Sequence, residues 1–187
     1  LPKALNVEDA DRLLDSAAEA RKTPKRAYAI VRLALDLGLR SGEIANLNLD
    51  DVDWRSGTLI LRGTKSQRQD VVPLPEQTGK ALADYVEHER SAIRHPAIFV
   101  RQIAGRTTPI TSCAVQKVIK CACRRIGLPD VSAHALRHTV ACRLVERGSS
   151  LKEVADLLRH RSLNSTLIYA KLDTPKLAAV ALPWLGS

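Results

Sequence analysis

Apolar residues recur at helical spacing over most of this chain, and at strand spacing in one short stretch. Leu13, Leu14, Ala17 and Ala18 follow Asn6 and Asp9, which predicts a helix capped at Asn6 and running to about Ala20. A second helix is expected from about Pro24 to Leu37, with proline in its first turn and Gly38 as its stop. Ser41 and Gly42 open a short third helix through Asn46. The period then changes. Val52-Asp53-Trp54, Thr58–Arg62 and Asp70–Leu74 are separated by the turn Arg55-Ser56-Gly57 and by a polar tip at 63–69, the pattern of a small antiparallel sheet. Helical spacing returns after Pro75 and runs to about Ile93. Ile98-Phe99-Val100 reads as a short strand, and further helices are expected at about 112–126, 133–147, 151–158, 165–171 and 175–182. No internal repeat is present. The expected fold is mainly α with a small three-stranded antiparallel β-sheet (α+β), in one domain.

Length and composition narrow the class. The 187 residues can bury one sizeable core, since chains of this size hide roughly 70% of their unfolded surface. No apolar run approaches the ~18 residues of a membrane helix. Leu1-Pro2-Lys3-Ala4-Leu5-Asn6 has neither a signal-peptide layout nor an initiator Met, so a fragment or processed chain is expected. The cysteines, Cys113, Cys121, Cys123 and Cys142, form no Cys-x-x-Cys pair and no zinc-ligand spacing. The three in or near the 112–126 helix read as small apolar residues of a reduced, intracellular protein.

Charge changes the picture. Residues 1–99 hold 15 Lys/Arg and 15 Asp/Glu, whereas residues 100–171 hold 13 Lys/Arg against Asp130, Glu146, Glu153 and Asp156. The whole net charge of +9 lies in that second stretch, an electrostatic footprint for a polyanion. One Phe, two Trp and three Tyr are too few to stack single-stranded bases, so double-stranded backbone contact is the better fit.

Several residues carry candidate chemistry. In His134-Ala135-Leu136-Arg137-His138, positions 134 and 137 share a helical face and can converge on an anion such as a phosphate. His134 and His138 have the spacing of a zinc pair. The metalloprotease version, however, needs Glu where Ala135 stands, and no acidic third ligand accompanies them, so no metal site is expected. Arg40 follows a helix stop, where its fork can point at a phosphate, and Glu43 one turn on can hold it; a purely structural Arg40–Glu43 pair is the plainer alternative. Lys65 sits on the polar hairpin tip, able to reach a neighbouring cleft or simply to be solvated. Tyr169 follows Arg159-His160-Arg161. Nine residues separate His160 from Tyr169, which opposes them on one straight helix, but a break at Ser162-Leu163-Asn164 removes that objection.

Singly these signals are weak, but their order is specific. Arg40, Lys65, His134-x-x-Arg137, His160 and Tyr169, with Gly38-Leu39-Arg40-Ser41-Gly42-Glu43, Thr64-Lys65-Ser66, Val72-Pro73-Leu74 and Leu157-Leu158-Arg159-His160, resemble the catalytic domain of the tyrosine recombinases, the family of phage integrases and Xer recombinases. The resemblance covers nearly the whole chain. It implies the catalytic-domain fold over 1–187, as the C-terminal domain of a larger recombinase whose N-terminal clamp is absent. It implies DNA cutting and rejoining without metal, ATP or other cofactor, with Tyr169 as nucleophile, Arg40 and Arg137 on the non-bridging oxygens, Lys65 protonating the leaving 5′-oxygen, and His134 and His160 hydrogen-bonding the phosphate or assisting proton transfer. It also implies that the 112–126 helix approaches a DNA groove with Gln116, Lys117, Lys120 and Arg124, an ordinary solvated helix face being the plainer alternative. Arg159 and Arg161 flank His160 as further DNA contacts, although the family usually has Gly at position 159, so that Arg159 either touches DNA or crowds the site. The apolar tail 175–187 is expected to dock on a neighbouring protomer in a tetramer on two DNA sites, or to fold back on its own core. A cytoplasmic, nucleoid-associated protein of bacterial or phage type follows. Two other readings stay open: a type IB topoisomerase-like activity, and a non-catalytic DNA-binding module.

Overall fold

The computed structural model describes residues 4–62, 69–90, 93–103, 105–128 and 131–159. The first element, α1 (Val7–Ala18), starts where expected: the Asn6 side chain accepts from the Asp9 amide at 2.6 Å, satisfying one orphan donor of the first turn. Its buried face, Ala10, Leu13, Leu14 and Ala17, lies on α2 (Pro24–Asp36). Helix α2 is the central post of the fold. It buries Ile30, Val31, Leu33 and Ala34 completely and packs against α1 and the later helices α4 (Glu76–His88), α5 (Ser112–Arg125) and α6 (Ala133–Glu146).

After the short α3 (Ser41–Ala45) and a single 3-10 turn at Leu49–Asp51, three strands form an antiparallel sheet in the order β1 (Val52–Asp53), β2 (Thr58–Arg62), β3 (Gln69–Pro73). The register pairs Leu59 with both Val52 and Val72, and these three are buried, while Val71 on the opposite face is exposed. That alternation is the period the sequence displays. Asp51, buried below the sheet, receives the Asn48 amide and the Arg62 guanidinium. The hairpin tip that carries Lys65 lies outside the described residues.

Two elements differ from expectation. Helix α4 (Glu76–His88) ends five residues early, because Arg90 folds back beneath the chain. Its guanidinium donates to the carbonyls of Ile93, His95, Ala97 and Ile98, which pulls the backbone out of helical register. The strand expected at 98–100 instead begins at Val100: β4 (Val100–Ile103) pairs with β5 (Arg106–Pro109) around Gly105, whose φ is +75°. Both strands are mostly solvent-exposed and polar, so no apolar alternation announced them.

Helices α5 (Ser112–Arg125), α6 (Ala133–Glu146) and α7 (Leu151–Leu157) match the expected spans to within about one residue. Thr111, Ser132 and Ser150 cap them with side-chain oxygens. Helix α6 is buried almost all round between Ala135 and Cys142. It joins the main core through Leu136 and builds a second, smaller core of Val140, Val145, Val154 and Leu158 with α7. The cysteines correct the sequence reading in part. Cys123 and Cys142 are buried, and burial pushes the Cys123 thiol up to about 11, but Cys113 and Cys121 are exposed. The helices expected at 165–171 and 175–182 lie outside the described residues. Among the described residues no helix is long and apolar enough to cross a membrane.

Candidate active site

The corner between α2 and α3 positions Arg40. Gly38 turns the chain with a φ of +59°, and a Cβ there would stand 2.8 Å from the Leu158 side chain, so both the conformation and the close approach require glycine. Arg40 is the N-cap residue of α3. Its amide donates to Glu43 Oε2 at 2.7 Å and its Nη1 donates to Glu43 Oε1 at 2.9 Å. The side chain remains 47% exposed. The Arg40–Glu43 pair thus exists, and it orients a guanidinium that still faces solvent.

Arg137 approaches the same corner from α6. It is buried, donating from Nη1 to Gly38 O at 2.6 Å and from Nη2 to Leu158 O. One guanidinium therefore staples the Arg40 corner to the end of α7. His134, one turn earlier on α6, is exposed. His138 is buried behind it, with Nε2 3.5 Å from Cys142 Sγ. Burial and, secondarily, the charge of His134 hold its imidazole below the usual histidine value.

Arg40, His134 and Arg137 open together onto a cleft of about 710 Å³. Gln116 and Lys120 of α5 also line it, and no carboxylate does so among the described residues. Ser41, Ser112 and Ser132, at the first turns of α3, α5 and α6, complete the rim. Sequence reasoning did not single out these serines as site residues; in the structure Ser132 caps α6 and Ser112 follows the Thr111 cap of α5. A concave, cationic site of this kind, with helix amino ends at its rim, favours a phosphate group.

Lys117 and Arg124 are exposed on α5 with Gln116 and Lys120, while Val115, Ile119 and Ala122 are buried, so the helix has the two faces expected of it. Arg159, expected either to touch DNA or to crowd the site, is folded onto Glu43, with Nη2 2.9 Å from Oε2 and its side chain 10% exposed. Burial alone would push the Glu43 carboxyl up. The Arg159 charge, the Arg40 amide and the charges of Arg40 and Arg137 outweigh it and hold the carboxyl below the usual range. Lys65, His160, Arg161 and Tyr169 lie outside the described residues. Among the described residues no group of three or more His, Cys, Asp or Glu is placed to hold a metal ion.

The family model for the phage integrase family matches residues 3–175. Tyrosine recombinase XerC of Thermodesulfovibrio yellowstonii is 32% identical over 96% of the chain, which spans 61% of that relative. The crystal structure of XerA recombinase superposes with a TM-score of 0.80 at 26% identity, over 94% of the chain and 64% of XerA. XerH site-specific recombinase, crystallised on its palindromic difH substrate as a post-cleavage complex, gives a TM-score of 0.79 at 26% identity, over all of the chain and 54% of XerH. The chain thus spans less than two-thirds of the length of each of these three relatives.

Proposed function

The chain belongs to the phage integrase family, and on that footing we propose that it breaks and rejoins duplex DNA site-specifically through a 3′-phosphotyrosine intermediate. The observation that carries this reading is the convergence of Arg40, His134 and Arg137 on one open cleft that no carboxylate lines among the described residues. The post-cleavage complex of XerH with its DNA substrate supports the assignment to DNA cleavage.

The chemistry follows from the groups available. The Tyr169 hydroxyl attacks the scissile phosphorus, the phosphorus–O5′ bond breaks, and Lys65 delivers a proton to the departing 5′-oxygen. A free tyrosine, with a pKa near ~10, is a weak nucleophile at neutral pH, so its proton has to be accepted as it attacks, a task suited to His160 or His134. The trigonal-bipyramidal transition state gathers negative charge on the non-bridging oxygens. Arg40, oriented by Glu43, and Arg137, fixed by two backbone carbonyls, are preorganised to offset it. The phosphotyrosine keeps the energy of the broken bond, so a 5′-hydroxyl from another strand reverses the step without ATP or another cofactor. Exchanging strands between two duplexes requires four cleavages, one per protomer. We therefore extend the proposal to a tetramer on two DNA sites, with the tail 175–187 bridging neighbours. Gln116, Lys117, Lys120 and Arg124 on the exposed face of α5 are assigned to the DNA, together with Arg161.

The test is covalent attachment. Protein is incubated with supercoiled plasmid DNA in EDTA, stopped with SDS, and compared with Tyr169→Phe. An SDS-stable adduct that is lost in the mutant is the expected result. An adduct persisting in Tyr169→Phe overturns the nucleophile assignment. Plasmid bound without any adduct from the wild type supports a DNA-binding module instead, and relaxation without exchange between plasmids supports the topoisomerase-like activity.

A further inference from the structure

We infer that Arg159 is a positioning residue for the cleft: through Glu43 it sets the direction in which Arg40 presents its guanidinium. The inference rests on the phosphate-binding reading given above and adds a residue to it.

Three observations converge. First, Arg159 has a φ of +53°, the one non-glycine residue with a positive φ among the described residues. An L-residue in that conformation is disfavoured by roughly 1–2 kcal/mol, so the surroundings must hold it there. Second, what holds it is directional. Nη2 donates to Glu43 Oε2 at 2.9 Å, Nη1 donates to Leu157 O at 3.0 Å, and the Arg159 amide donates to Asp156 O at 3.0 Å. The side chain is largely removed from water, where a charge-assisted bond is less screened than at the surface. Third, Glu43 is shared. Its Oε1 receives Arg40 Nη1, while its Oε2 receives both the Arg40 amide and Arg159. With both oxygens engaged the carboxylate cannot rotate, and Arg40 is pinned through one nitrogen with the rest of its fork left to the cleft it lines.

The arrangement also settles a charge problem. Alone, the Glu43 carboxylate beside a phosphate site would repel the substrate and cancel much of the Arg40 charge. Arg159 neutralises it at Oε2, so Glu43 offsets less of the positive charge that lines the cleft. Arg159 follows Leu158, whose carbonyl Arg137 already grips. The end of α7 is therefore tied to the Arg40 corner twice, once by backbone and once by a side chain that can be replaced.

Arg159→Gly suits the left-handed backbone and removes only the side chain. Arg159→Lys keeps a charge without the fork. The two variants, Glu43→Gln and the double variant are compared with wild type in three measurements: plasmid affinity, the single-turnover rate of SDS-stable adduct on supercoiled plasmid, and the ¹⁵Nε–¹H signal of Arg40 by NMR. Rates are normalised to folded protein from thermal melts. Arg159→Gly is expected to slow adduct formation about tenfold while changing plasmid affinity less than about twofold, with Arg159→Lys recovering part of the rate. In the Glu43→Gln background, Arg159→Gly is expected to add no more than about a further twofold, because the link is already cut. A wild-type rate in Arg159→Gly overturns the inference. So does a loss of affinity with a salt slope lower by about one at unchanged saturated rate, which makes Arg159 a DNA contact. If wild type binds plasmid yet forms no adduct, the tyrosine reading fails instead. The Arg40 signal then decides: averaging toward free arginine in Arg159→Gly upholds the positioning role, and an unmoved signal overturns it.

Discussion

Arg90 and Arg137 are buried to nearly the same depth, 5% and 4% exposed, and both donate to backbone carbonyls. Around Arg90 the guanidinium meets carbonyls of Ile93, His95, Ala97 and Ile98, all from the loop that follows its own helix. It closes a loop and is not among the residues that line the cleft of Arg40. Arg137 grips Gly38 and Leu158, which are remote in sequence, and shares an open cleft with Arg40 and His134. Burial and carbonyl capping thus describe how an arginine is held, not what it is for. An arginine that joins distant segments and lines a cleft with other cations has binding capacity to offer. One enclosed by its own loop is a substitute for missing secondary structure, meeting backbone groups that would otherwise be unsatisfied.

Mutating the two should separate these roles. Arg137→Ala is expected to lower the rate of covalent adduct formation by about 10²–10³-fold or more at saturating DNA, as for loss of one preorganised donor. Measured per folded molecule, that loss breaks the comparison if Arg90→Ala shows the same. Arg90→Ala is expected to act on stability instead, by about 3 kcal/mol from several charged hydrogen bonds, or a fall in melting temperature of about 6–12 °C. Its adduct rate well below the melting point should match wild type.

Smaller effects sharpen the contrast. Lys120→Gln, on the cleft wall, is expected to reduce the salt dependence of plasmid binding by about one unit in the log–log slope, with an unchanged melting temperature. His138 ties the cleft side to pH. Its folded value lies below the unfolded one, so the native state resists a proton that the unfolded chain accepts. Its contribution to stability is therefore fully present above about 6.5 and is lost as pH falls from there through the folded value. Melting curves between pH 7.5 and 5.5 should show that decline, and His138→Gln should flatten it. Asn6→Ala, on the scaffold side, is expected to cost about 1 kcal/mol through loss of its bond to the Asp9 amide, and to leave the chemistry untouched.

The sequence made legible those features that depend on local pattern. The helix cap at Asn6 and the alternation around Leu59 and Val72 come from side chains whose preference is expressed within a few residues. The order of Arg40 and His134-x-x-Arg137 named part of the site for the same reason. What stayed hidden depends on long-range geometry. The β4–β5 hairpin carries one exposed large apolar residue, Ile103, and so offers no period to read. Arg90 looks in sequence like any solvated helix-end cation until the loop wraps around it. The inward turn of Arg159 depends on a backbone angle and on Glu43, 116 residues away. That Arg137 braces the corner bearing Arg40 is likewise invisible until α2, α6 and α7 are packed.

The uneven burial of the cysteines makes α5 its own reporter. Cys113 stands exposed in the first turn of the helix assigned to the DNA and Cys121 past its middle, eight residues or about 12 Å further along its axis. Cys123 and Cys142 are sequestered, and the Cys123 thiol, pushed up to about 11, has almost no reactive thiolate near neutral pH. A thiol-directed dye added to the unaltered protein should therefore mark two points on one helix and leave the core silent. Protection of either label by added plasmid would map the DNA's path along α5 without a single substitution.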